Sequence, residues 1–132
     1  MKSYYSLQDP ATFQALGMGG SPGEIILHES RWVDRGENNF CFVNAQVYGG
    51  DASFGTGGSF LFAETSMTRE GPWTIAQNFL PSSTPQELVL SATMPFSQVQ
   101  RLQRYVRWRW IYENVAATTY FVSFQMRVVL KP

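Results

Sequence analysis

Charge is scarce in this 132-residue chain: Asp, Glu, Lys and Arg together make up 15% of it, where about 25% is usual for a soluble domain. Histidine and cysteine are rarer still, at one residue each, His28 and Cys41. A single cysteine excludes an internal disulfide and every cysteine-based metal motif. One histidine and one cysteine, thirteen positions apart, do not make a transition-metal site. No run approaches the roughly 18 apolar residues of a membrane span, and the opening MKSYYSLQDP lacks the apolar segment of a signal peptide. The net charge of zero contrasts with the strongly basic balance of nucleic-acid binders. The expectation is a soluble protein made in a reducing compartment, with no cofactor, no metal, no membrane and no nucleic-acid partner.

Catalytic patterns are also missing. His28 would need an adjacent nucleophile or an orienting carboxylate to act as a general base, and no spacing supplies one. The glycine-rich piece Gly49–Gly58 lacks the GxxxxGK[ST] pattern of a phosphate loop and reads as a surface turn. Asp51, Glu64 and Glu70 are acids too scattered to mark a glycosidase pair. The chain is not expected to be an enzyme.

What the chain does have is strand signal. Its length suits one domain with a core of its own, and 11 Gly and 7 Pro are scattered along it, as frequent turns require. Val106, Trp108, Trp110 and Tyr112 alternate with Tyr105, Arg107, Arg109 and Ile111, the period-two pattern of a strand with one buried side. Tyr120, Val122, Phe124, Met126, Val128 and Leu130 form a second such face, opposite Thr119, Ser123, Gln125 and Arg127, a face that also holds Phe121 and Val129. The short link Glu113–Thr118, with Asn114, suggests that these two runs form an antiparallel hairpin. Further strands are expected at Glu24–Arg31, Phe40–Tyr48, Ser59–Glu64 and Glu87–Thr93, and one helical turn at Trp73–Phe79. In Phe40–Tyr48 the inward face is Cys41, Val43, Ala45 and Val47, so the lone thiol is expected to be buried. Residues 1–23 keep no sustained period and read as an arm, with too many apolar residues for a solvated tail. The reading is all-β: a single β-sandwich, jelly-roll-like, over residues 24–132, with an extended N-terminal arm. Trp108, Trp110, Phe124 and Met126 are expected to share its core.

Charge is distributed unevenly. Residues 101–132 hold six cations against Glu113 alone, a balance of +5, and residues 1–100 hold four against nine acids, a balance of −5. The split can be satisfied within the fold, between copies, or by a ligand. The arginine row Arg101, Arg104, Arg107 and Arg109, interleaved with Tyr105, fits stacking on a single-stranded nucleic acid, a sugar or an acidic protein surface. It equally fits a solvated face with arginine stems lying across Tyr105 and Ile111. The candidate protein-interface residues are Tyr4, Tyr5, Leu7 and Phe13 from the arm, with Arg101, Arg104, Arg107 and Arg109.

An aromatic arm, one sandwich without catalytic residues, a penultimate strand RYVRWRWIYEN and a closing strand TTYFVSFQMRVVLKP together resemble the decoration, or cement, proteins of tailed-phage heads. Arg104, Tyr105, Val106 and Arg107 match the Arg-Tyr-aliphatic-Arg opening found in the penultimate strand of some of them. The resemblance implies a bacteriophage virion protein on the capsid surface, made in the host cytoplasm. It would bind the major capsid protein or another shell protein as a homodimer or homotrimer and stabilise the shell. A tail or baseplate structural protein is a near neighbour of that reading. The alternative of another class is a carbohydrate-binding sandwich using Trp32, Trp73 and Tyr48 as stacking platforms.

Overall fold

The computed structural model describes residues 3–95 and 97–132; Met1 and Lys2 of the expected arm, and Phe96 of the segment before the last two strands, lie outside them. Nine strands are described: β1 (Ser3–Leu16), β2 (Gly23–Ile26), β3 (Val33–Asp34), β4 (Phe40–Gly50), β5 (Ser59–Ser66), β6 (Thr74–Phe79), β7 (Gln86–Ser91), β8 (Tyr105–Tyr112) and β9 (Thr119–Lys131). Sheet A has the order β1-β9-β4-β7 and sheet B the order β2-β8-β5-β6, with the short β3 also paired to β8. All of these pairings are antiparallel. These two orders are those of a jelly roll, in which the chain repeatedly crosses from one sheet to the other.

The expected β-sandwich is therefore present, but the expected final hairpin is not. β8 lies in sheet B and β9 in sheet A, so the apolar faces of the two runs oppose each other across the core instead of lying side by side. The turn signal at Asn114 was real in kind: it takes a left-handed conformation, φ 69°. Its amide side chain donates to the carbonyls of Gly19 and Ser21 and its oxygen accepts from Met18 N–H, tying the β8–β9 crossing to the β1–β2 crossing. Gly17 completes this junction, because a Cβ there would stand 1.8 Å from the Val115 carbonyl oxygen.

The segment read as an arm is also corrected. Ser3–Leu16 is extended but is an edge strand of sheet A, paired to β9 from Ser3↔Leu130 to Leu16↔Thr119. Two register shifts, between Ser6 and Gln8 and between Gln8 and Ala11, break its alternation, which is why no period shows in the sequence. Pro10 is tolerated there because an edge strand has one row of N–H groups without a ladder partner. A third correction concerns Trp73–Phe79: Thr74–Phe79 is a strand, and an extra residue at Ala76, opposite the Ala63/Glu64 step, puts Ala76 and Phe79 both in the core. That three-residue spacing imitates a helical turn. The first expected strand is shorter than read, ending at Ile26 before a 3-10 turn at Glu29–Arg31.

Between the sheets, Trp108 packs edge-on against Phe124, centroids 5.1 Å apart, and against Phe13 at the same distance. Val106, Trp108, Trp110, Phe124 and Met126 are all buried, and each large side chain contributes about 1.5–3 kcal/mol on burial. Among the described residues, the buried indole N–H groups of Trp108 and Trp110 find no acceptor, and a buried donor left unpaired costs about 1–3 kcal/mol. Cys41 is fully buried beside them, as expected, and burial pushes its thiol up to about 12.

Candidate interaction surfaces

The outward side of β8 is where the sequence placed a positive stripe. Register sets Arg107 opposite Glu64 and Arg109 opposite Phe62 on β5. Glu64 is 1% exposed and Arg107 8%. Both carboxylate oxygens of Glu64 are occupied, Oε1 accepting from Arg107 Nε at 2.7 Å and Oε2 from Arg109 Nε at 3.2 Å. Arg109 also reaches Glu24 at 3.3 Å, and Arg104 reaches Asp34 at the same distance. Farther out, Arg69 pairs with Glu29 at 2.6 Å. Three of the six C-terminal cations thus pair with acids from the first half of the chain, and the −5/+5 split is partly satisfied inside the fold.

Aromatic rings cover this charge. Trp32 and Trp73 meet edge to face, 4.8 Å apart, and the Arg107 guanidinium lies 3.7 Å from the Trp73 centroid. The guanidinium carbons of Arg69 and Arg104 each lie 5.0 Å from the Tyr105 ring centroid. In such a setting each cation–π contact is worth about 0.5–2 kcal/mol. Of the interface candidates, Arg107 is therefore corrected, being buried with its charge neutralised by Glu64, whereas Arg109 is partly exposed and shared between Glu64 and Glu24. Arg104 remains exposed but paired. Arg101 donates to the Met94 carbonyl.

The four arm candidates separate into two pairs. Leu7 is buried, and Phe13 is partly buried with its ring packed against the core. Tyr4 and Tyr5 are exposed, Tyr4 by 72%. The three proposed sugar platforms do not converge either. Trp32 and Trp73 are committed to each other and to Arg107, and Tyr48 stands exposed on β4 in the other sheet. A groove of about 350 Å³ beside Trp32 is lined by Tyr5, Arg31 and Asp34.

The other chemistry-bearing residues hold structure. His28 is exposed and caps the 3-10 turn, its Nδ1 accepting from Ser30 N–H at 3.1 Å. Asp51 accepts from the Ser53 hydroxyl and amide, from Ser59 Oγ at 3.1 Å and from Phe121 N–H at 3.1 Å. Partial burial pushes its carboxyl up, but those four hydrogen bonds outweigh it and hold the group below its ordinary value. Among the described residues no three His, Cys, Asp or Glu side chains group as metal ligands.

The outward side of sheet A is different, and sequence reasoning missed most of it. Register lines up Tyr4, Val129, Phe42 and Val89 in one row across four strands, and Ser6, Arg127, Asn44 and Glu87 in the next. A groove of about 610 Å³ runs here, with Tyr4, Arg127, Asn44 and Val129 in its walls. Lys131 lies 4.4 Å over the Phe42 ring. The available signal was Val129 and Phe121 interrupting the polar side of the last strand, together with Phe42 on the polar side of β4.

No protein-family model matches this sequence, and no curated protein matches it. Among solved structures, the fold is similar to a chain in the crystal structure of the infectious bursal disease virus VP2 subviral particle, with 11% identity and a TM-score of 0.54 over 99% of this chain and 33% of that one. It is also similar to a chain in the structure of the Gx strain of that virus, with 12% identity and a TM-score of 0.52 over 98% of this chain and 31% of the other. The chain thus spans about a third of the length of these neighbours. The likeness is one of fold, to a β fold found in a virus particle, and it does not single out the tailed-phage decoration proteins.

Proposed function

We propose that this chain is a structural protein of a virus particle that acts by protein–protein contact and not by catalysis. The observation that supports this best is the match of the whole jelly roll to one part of a particle-forming viral protein, at TM-score 0.54. Jelly rolls recur in viral capsids and in lectins, and a fold alone does not assign function, so the side chains carry the rest. The lone histidine is used as a cap, the lone thiol is buried and held protonated at neutral pH, and Glu64 is locked between two arginines. His28, Cys41 and Glu64 thus each have a structural task. Sheet A, by contrast, leaves a row of aromatic and aliphatic side chains facing outward.

Within that reading the specific form is a decoration protein: a small homo-oligomer on the outer surface of a shell, bound to the major capsid protein and stabilising it, with synthesis in the host cytoplasm. Co-sedimentation of the full chain with empty particles assembled from the accompanying shell protein tests it directly. Truncating residues 1–20 is unsuitable, because it removes an edge strand with Leu7 and Phe13 from the core. Tyr4→Ala and Arg127→Glu are the appropriate surface variants. The second reading, carbohydrate binding, draws on the groove beside Trp32. A chain that stays in the supernatant yet binds a glycan array would establish that reading and end the first.

A further inference from the structure

Among the described residues, seven of the eight arginines have a hydrogen-bond or ion-pair partner within the chain; Arg127, on the outward side of β9, is the one for which none is found. Glu87, on the outward side of β7, is likewise outside every ion pair. Both residues are exposed, and both pair in register with Asn44 of β4, from opposite sides of it. One row along, Val129 and Val89 flank Phe42 in the same way, and Val89 is 46% exposed. The face therefore has a pattern centred on β4: cation, amide, anion in one row, and valine, phenylalanine, valine in the next.

We propose that the outer face of sheet A is a self-association surface whose occupant is a second copy of this chain, related by a two-fold axis along β4. Such an axis exchanges the strands on either side of β4. It carries Arg127 onto Glu87 of the partner subunit and Val129 onto Val89 of the partner subunit. Phe42 and Asn44 each meet their own copies. An isologous contact requires this self-complementarity. Facing sheets pack about 10 Å apart with strand directions within about 30°, a gap that an arginine and a glutamate reaching toward each other can bridge. An acidic partner would match Arg127 but leave Glu87 against a like charge, and a basic partner would do the reverse. Only a surface carrying both signs in mirrored order satisfies both residues. The inference does not depend on the virus-particle reading, since it concerns the chain's contact with itself.

The test is sedimentation equilibrium of the full chain over about 1 μM to 1 mM, a range that covers weak to tight association. The wild type is expected to form dimers, and Phe42→Asp to be monomeric. Arg127→Glu and Glu87→Arg should each weaken the dimer at least about tenfold, because each brings like charges together. Mixing these two variants should restore a heterodimer, since both cross-subunit pairs then become opposite in sign. Circular dichroism confirms that the exposed substitutions leave the fold intact. A wild type that stays monomeric throughout, a trimer, a dimer indifferent to Phe42→Asp, or a mixture that fails to reassociate would each overturn the proposal. Particle co-sedimentation of the same variants reads the virus-particle hypothesis separately, because a chain can bind particles as a monomer or dimerise without binding them.

Discussion

On the outer face of sheet B, Glu64 lies under two arginines and a Trp32–Trp73–Tyr105 cover, whereas on the outer face of sheet A, Arg127 and Glu87 stand in solvent on either side of Asn44. Both faces present arginine next to aromatic residues, and in sequence the two look alike. Charge in the first has been folded into the structure, where it contributes to stability and is closed to partners. In the second it has little to do for the monomer and is available for recognition. Proximity to a carboxylate in space, and not arginine content, separates the two.

The largest effect should come from breaking the closed face. Glu64→Ala leaves Arg107 buried without its anion, and losing one member of a buried pair costs about 3–5 kcal/mol; the midpoint of urea unfolding should drop accordingly. A loss below about 1 kcal/mol would mean that water reaches the site and that Arg107 is not truly enclosed. Replacing the pair together, by Glu64→Leu with Arg107→Met, should restore most of the stability, because well-packed apolar groups can replace a buried ion pair with little penalty.

Next in size is a comparison of two aromatics on one strand. Phe13→Ala should cost about 3 kcal/mol, since it opens a cavity against Trp108 and Phe124. Tyr4→Ala, nine residues earlier and exposed, should stay within about 0.5 kcal/mol. Equal and small effects would return β1 to the status of a loose arm.

Asp51 joins the sheets, bonding Ser59 at the start of β5 and the Phe121 amide of β9. Asp51→Asn should cost about 1–2 kcal/mol at neutral pH, as hydrogen bonds to a charged group are lost. The folded carboxyl titrates below its ordinary value of 3.8, so its contribution is complete above that value and is lost as pH falls through the lower, folded one. Thermal unfolding of the wild type should therefore weaken toward acid more steeply than that of Asp51→Asn. Parallel profiles would remove Asp51 as the source.

The smallest effects belong to the open face and the core thiol. Arg127→Ala should change stability by less than about 0.5 kcal/mol while weakening self-association, a separation that Glu64→Ala cannot show. Cys41 should resist alkylation at neutral pH until the chain is unfolded, because a thiol at about 12 in a closed core offers little thiolate and no access. Prompt labelling of the native protein would show that sheet A opens readily.

Local alternation alone located strands at 40–48, 59–64, 87–93, 105–112 and 120–130, which the structure extends or trims at their ends, together with the inward faces of the first and the last two, the burial of Cys41 and the β-sandwich class, because a period of two with one apolar side suits a sheet that hides one face. It even held the hint of the outward patch, in Val129 and Phe121. Three things were decided only in three dimensions. Strands β8 and β9 adjoin in sequence but oppose each other across the core, since pairing partners are chosen by the packing of both sheets and not by loop length. Bulges in β1 and β6 erased or falsified the local period, so an edge strand read as an arm and another strand as a helical turn. Arg107 and Arg109 looked free because their anion, Glu64, lies more than forty positions away, and a charge pair that distant in sequence becomes visible only when register places the two residues side by side.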